Sequence, residues 1–485
     1  MRILRGVTLI LKNKVMLYML TRYVTYGMSF FVSMYAANRL GPYYYGVWGY
    51  LMLLLNYFNL INFGIPQAAQ IFQIQNRENL YRRDAFEKSG FVLTGVLGVG
   101  IICFALYERI VGITFFEKYE LGNLFYWICL CGIINYFNLY YSKVYRVKNK
   151  LLEIAFHQTF VVLLTFVVVF LKEGYPLLQW MLGAYVIAYS IIFLFYSFRE
   201  GITFKGEFRF CDCKKIINKG FFLFLYNSGF YFIMISTKTI VSINYTVMEF
   251  GYFTFAYLLG YAVLQLLEAF SYLISAKLLN KYRSSNAEVV SSTIRLIRVN
   301  YVALFHGIMY LAMIVFPVFI RFVPKYAGTL LMINLACLTM LLFTNSFGYS
   351  TFLMARNKER VLAFIAIFSL GINVLLGVFF VKFLQVNYQY TILPTLLTYF
   401  LYAYLCVYYG RKELKLDRSI MNVFEDCFPL RLLFPFIVAV ILILCNITYL
   451  LCIPFVVYIA LNGKTIKEIF HSFKRIFNKP EIIDL

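Results

Sequence analysis

Apolar runs of membrane-spanning length recur along almost the whole chain, and no other feature restricts its fold so tightly. A helix needs about 20 mostly apolar residues to cross the hydrocarbon core, where every backbone polar group must be satisfied within its own segment. On that measure about fourteen candidates stand out. They lie at 15–37, 46–72, 89–107, 122–143, 154–171, 177–197, 217–242, 250–277, 299–320, 328–354, 361–381, 392–410, 432–447 and 449–463. The last two are short and nearly continuous. Composition agrees: 62% of residues are hydrophobic and 14% charged, with mean hydropathy +0.75, outside the range of soluble domains. The sequence therefore reads as an all-α polytopic membrane protein.

The net charge of +23 has a topological explanation. With the N-terminus inside, roughly 36 of the 45 Lys and Arg residues fall on the cytoplasmic side and about 7 outside, which predicts both termini in the cytoplasm. Arg22 and Lys238 are left within the membrane. A nucleic-acid reading needs a soluble basic domain, and the interruptions between apolar runs are too short to form one. Met1 to Lys14 has the basic flank of a signal peptide, but the run after it is long enough to span and shows no small-residue cleavage site. It reads as a retained first helix. No outer loop exceeds about fifteen residues, which leaves no room for an outer catalytic domain. No inner loop contains the G-x-x-x-x-G-K-[ST] phosphate cradle. Cys211 and Cys213 are the only close cysteine pair outside the apolar runs; without a second ligand pair they read as thiols, and no metal site is expected.

The second half echoes the first. Asn149-Lys150 recurs as Asn357-Lys358, an offset of about 208 residues, and Tyr45-Gly46-Val47-Trp48 recurs as Phe250-Gly251-Tyr252-Phe253. The layout predicts lobes of six helices at 1–197 and 217–410, two further helices at 432–463, and a basic cytoplasmic tail at 464–485. Polar residues three and four apart share a helix face. Tyr18, Arg22, Tyr26, Ser29 and Ser33 align in the first helix, and Asn56, Asn59, Gln67 and Gln70 in the second. Asn227, Tyr231 and Lys238 align in the seventh, and Thr254, Tyr257, Tyr261, Gln265, Glu268 and Tyr272 in the eighth. A water-filled cavity shared by the halves accommodates all four faces. Arg22 and Glu268, at similar depths, are expected to form a gating ion pair. Gly64 and Pro66 are expected to kink the second helix. His157 and His306 read as packed residues.

The segment Ala37-Asn38-Arg39-Leu40-Gly41-Pro42-Tyr43-Tyr44-Tyr45-Gly46-Val47-Trp48, with Asn62-Phe63-Gly64-Ile65 after it, resembles the first hairpin of bacterial polysaccharide repeat-unit flippases. These are the O-antigen and capsule transporters of the multidrug/oligosaccharidyl-lipid/polysaccharide exporter superfamily. Glu249-Phe250-Gly251-Tyr252 and Ala355-Arg356-Asn357-Lys358 resemble the second-half counterparts. The resemblance implies a MATE-like fold of two pseudo-symmetric six-helix lobes around a cationic cavity. It further implies transport of undecaprenyl-diphosphate-linked oligosaccharide from the cytoplasmic to the outer face of the bacterial inner membrane by alternating access. Arg22 and Lys238 would be the phosphate-facing cations. Tyr26, Ser29, Asn56, Asn59, Gln67, Asn227, Tyr231, Tyr257, Tyr261 and Gln265 would line the cavity. No enzymatic activity or cofactor is implied; a cation gradient or the membrane potential would drive transport, in association with polysaccharide assembly proteins. The runner-up is an ion-coupled multidrug antiporter of the same fold, which would want cavity carboxylates. A membrane polysaccharide polymerase would want a long outer loop.

Overall fold

The computed structural model describes residues 14–148, 150–199, 206–284 and 286–478, and every regular element among them is helical. The side chains of Asn227 and Glu268 lie outside the described set, as does Asn149.

The helices are α1 (Lys14–Leu60), α2 (Ile65–Gln75), α3 (Leu80–Val111), the single turn α4 (Thr114–Glu117), α5 (Asn123–Val147), α6 (Leu151–Val168), α7 (Gly174–Arg199), α8 (Phe210–Asn244) and α9 (Val247–Ser284). They continue with α10 (Ala287–Ile320), α11 (Leu330–Thr344), α12 (Tyr349–Ala355), α13 (Glu359–Val378), α14 (Leu393–Glu413), α15 (Ile420–Cys427), α16 (Leu430–Leu444) and α17 (Cys452–Asn478). A π-helical turn at Arg298–Val302 interrupts α10.

Eight of these helices are long and apolar enough to cross a membrane, and the pair α15–α16, bent by 73°, would make a ninth. Eight or nine of the roughly fourteen expected spans thus meet the measure among the described residues, and α1 shows why polar helices do not. The arms of α1 carry Arg22, Asn56, Asn59 and many tyrosines, which dilute their apolar character.

The expected outer turn at residues 38–46 is tighter than a loop. Two helical arms meet at Gly41, whose φ of 71° and ψ of 168° belong to a region open essentially to glycine alone. Pro42 then starts the second arm, where its missing N–H costs nothing. That arm stops at Leu60. Asn62 accepts a hydrogen bond from the Gly64 N–H through Oδ1 (2.8 Å) and donates to the Asn59 carbonyl (2.6 Å). Gly64 is left-handed (φ 67°) and Pro66 lies in the first turn of α2, so the chain breaks and restarts here.

Two compact units follow from the packing. One comprises Met1–Ser228 and Tyr245–Gly251, the other Gly229–Asn244 and Tyr252–Leu485, so α8 and α9 each contribute to both. In the first, α1 packs along α6, and α5 packs against α3 and α7. Buried Tyr45, Tyr140, Tyr145 and Tyr196 fill its interior. In the second, α14 packs against α11 and α13, and α17 against α10 and α16. Its interior includes Tyr310, Tyr326 and Tyr399. Side chains such as Val96, Ile110, Phe198 and Leu375 point outward, as expected of helices whose other solvent is lipid.

The internal repeat has a counterpart in backbone geometry. At the end of α5 the Lys150 N–H bonds the Tyr145 carbonyl (3.0 Å), and at the end of α12 the Lys358 N–H bonds the Leu353 carbonyl (2.9 Å). Both are the six-to-one bond that closes a helix, and both fall in the repeated Asn-Lys motif.

Candidate functional site

Arg22 projects from α1, half-buried, and donates a hydrogen bond to Gln158 Oε1 on α6. Its guanidinium lies 5.0 Å from the Tyr26 ring centroid and 5.9 Å from that of Tyr18. One turn on, the Thr25 and Thr159 hydroxyls pair at 2.7 Å. Arg39 and Glu173 form a third rung at the exposed end. Polar contacts thus connect α1 to α6 and the turn after it along much of its length. All of Arg22's partners are neutral, and among the described residues it forms no ion pair. Glu268, the expected partner, has its side chain outside the described residues.

Further along the same face, Ser29 and Ser33 line a cavity of about 50 Å³ together with Trp48, Thr165, Met181 and Tyr185. That volume is large enough for a water molecule, to which the hydroxyls offer hydrogen bonds. In the second arm of α1, Asn56 is exposed, whereas Asn59 accepts from Asn135 Nδ2 on α5 (2.8 Å). Gln67, in α2, is half-buried with an enclosed Oε1 that has no hydrogen-bond partner among the described residues.

In the second unit, the Lys238 ammonium sits 4.2 Å from the Tyr257 ring centroid. Phe253, Tyr257 and Tyr261 follow at about one per turn of α9, with near-parallel rings 6.2 and 6.4 Å apart. Tyr231 is exposed and Gln265 half-buried; Asn227 belongs to α8, but its side chain lies outside the described residues. The structure therefore brings Arg22 together with Tyr26, and Lys238 with Tyr257, whose ring stacks on Tyr261.

The sequence reading missed several partners. Gln158 and Asn135 come from other helices, as does fully buried Asn373 on α13. The Asn373 Nδ2 donates to the Ile233 carbonyl (3.0 Å), Ser236 Oγ (2.9 Å) and Thr237 Oγ1 (3.0 Å). Only the polarity of Gln158 and Asn373 within apolar runs could have flagged them.

The two signature turns touch. Gly46 abuts the Val247 carbonyl, and Gly251 abuts the Pro42 carbonyl; a Cβ on Gly251 would lie 3.0 Å from the Gly46 nitrogen. Beside them, Lys118 Nζ donates to the Tyr245 carbonyl (2.5 Å), and Tyr119 stacks on Tyr50 while meeting Phe250 edge-on. Burial pushes the Lys118 amine below the usual lysine range, and Glu249 partly restores it.

A family model described as a polysaccharide biosynthesis protein matches residues 11–274, more than half of the chain. The chain belongs to this family. No curated protein matches the sequence. Among solved structures, the lipid II flippase MurJ in an inward closed conformation is 13% identical with TM-score 0.63, over 94% of this chain and 99% of that one. An inward-facing MATE-family multidrug transporter of the MOP superfamily is 14% identical with TM-score 0.60, over 82% and 98%. A MATE in complex with Br-NRF is 12% identical with TM-score 0.53, over 82% and 94%. At these identities the likeness establishes the fold, which is MATE-like and shared with MurJ. With the family and the run of apolar helices, it makes this a multi-pass membrane protein.

Proposed function

We propose that the protein is a flippase that moves undecaprenyl-diphosphate-linked oligosaccharide repeat units from the cytoplasmic to the outer face of the bacterial inner membrane, by alternating access, for surface polysaccharide assembly. Membership of a polysaccharide biosynthesis family supports the substrate class, and the shared fold supports transport. The observation that carries the reading is Arg22. A cation at membrane depth costs at least ~2.5 kcal/mol at a helix centre and usually marks a pathway. Gln158 and the two tyrosines solvate the guanidinium without neutralising it. An anionic group that enters meets a charge already fixed in position, with a planar fork suited to phosphate oxygens. Lys238 places a separate point charge beside aromatic surface in the second unit.

On this reading the lipid tail stays in the bilayer while the head group crosses, a cation gradient or the membrane potential drives the cycle, and both termini are cytoplasmic. Polysaccharide assembly proteins are the expected partners. An ion-coupled multidrug antiporter is the second reading. It ranks lower because the charged residues placed on the polar faces, among the described residues, are cations rather than carboxylates. Deleting the gene tests the choice. Loss of surface polysaccharide with accumulation of lipid-linked units inside the cell is expected; normal surface glycan without accumulation overturns the proposal.

A further inference from the structure

Lys238 differs from Arg22 in what surrounds it. Its ammonium faces the ring of Tyr257, which is 4% exposed, and it forms no ion pair among the described residues. The next ring up the same face, Tyr261, is half-buried, and Tyr231, two turns before Lys238 on α8, is 43% exposed. Gln265 adds an amide one turn beyond Tyr261. These stretches of α8 and α9 therefore carry one compact positive charge, stacked aromatic rings and neutral hydrogen-bonding groups.

That combination suits a ligand different from a diphosphate. A diphosphate carries several charges on two tetrahedral centres and favours a multi-pronged donor such as a guanidinium. Lysine is a point charge, and here it has no second cation beside it among the contacts of the described residues. An acidic sugar presents a single carboxylate next to a ring whose C–H face packs on aromatic side chains and whose hydroxyls bond to Tyr and Gln. We infer that Lys238, with Tyr231, Tyr261 and Gln265, forms a subsite for a carboxylated sugar within the transported glycan. The inference rests on the flippase reading and narrows its substrate to repeat units that contain a uronate or a similar acidic residue.

Purified protein in detergent tests it with three probes: a short-chain prenyl diphosphate, the same lipid bearing a glucuronate-containing disaccharide, and the methyl ester of that glycolipid. The ester is neutral at the sugar and nearly the same shape. Wild-type protein is expected to bind the acid about tenfold more tightly than the ester, as a single charge-assisted contact allows. Lys238→Gln should remove that preference while leaving affinity for the bare prenyl diphosphate within about twofold, and Lys238→Arg should keep it. Equal wild-type binding of acid and ester overturns the inference. So does a Lys238→Gln variant that keeps the preference, or one that loses the bare diphosphate instead. If wild-type protein binds none of the three probes, the flippase reading falls, and the inference with it.

Discussion

At the scale of single residues, Arg22 and Gln158 behave as a unit. Removing the guanidinium should abolish function without harming the fold, because Gln158 then meets an aliphatic neighbour in a region only half-buried. Arg22→Ala is expected to lower export by at least about tenfold, the worth of one charge-assisted contact, at normal membrane expression. Removing the amide works in the opposite direction. Gln158→Leu leaves a charged donor without its acceptor, at an expected cost of about 1–3 kcal/mol, read as a lower melting temperature in detergent. A double-mutant cycle on this pair should show coupling, since the residues touch directly. Arg22 was legible in the sequence because an ionisable side chain inside an apolar run is conspicuous. Gln158 was not, because it lies 136 residues away and helical periodicity says nothing about which helix faces which. The same limit hid Asn135 and Asn373, whose roles depend on tertiary packing.

At the scale of elements, glycines mark the places where helices bend or press together, and two of them separate these causes. Gly41 has an open surround, with nothing within 4 Å of the point a Cβ would occupy, yet its backbone lies in a glycine-only region. Gly41→Ala should therefore cost about 1–3 kcal/mol through backbone strain alone. Gly251 has ordinary helical geometry, but a methyl group there would strike the Pro42 carbonyl and the Gly46 nitrogen. Gly251→Ala should cost a similar amount, about 1–3 kcal/mol, through overpacking. Enlarging the opposing Gly46 in the same chain should then add less than its own separate cost, because one displacement relieves both clashes. Thermal melts of the single and double variants measure this. Gly46 and Gly251 were visible in the sequence as repeated motifs, and the helix-closing bonds at Lys150 and Lys358 show that the repeat extends to backbone geometry. That the turns meet each other was not visible, because two similar motifs imply related folds and not contact.

At the scale of the whole molecule, helical class and membrane character followed directly from the apolar runs, whereas the number of spans did not. Apolar runs in the sequence include polar helix faces, and these faces keep α1 below the hydropathy of a typical span. Sidedness rests on a different signal, the sorting of Lys and Arg between alternate loops, and it makes a prediction independent of span count. Lys118 lies in the short connection between α4 and α5, and Lys415 in the connection after α14. Charge sorting predicts the first outside and the second inside. In a cysteine-free background, Lys118→Cys should react with a membrane-impermeant maleimide in intact cells, and Lys415→Cys should react only after the cells are opened. The Lys118 amine donates to the Tyr245 carbonyl beside the touching glycine turns, so a cysteine at this position, though it removes that bond, samples the surroundings of the turns. If the turns separate while substrate passes, labelling at this position should quicken in cells that supply lipid-linked units and slow when their synthesis is blocked. On the proposed flippase reading, a rate unaffected by substrate supply would mean that this end of the first unit stays closed throughout the cycle, and that the glycan leaves by another route.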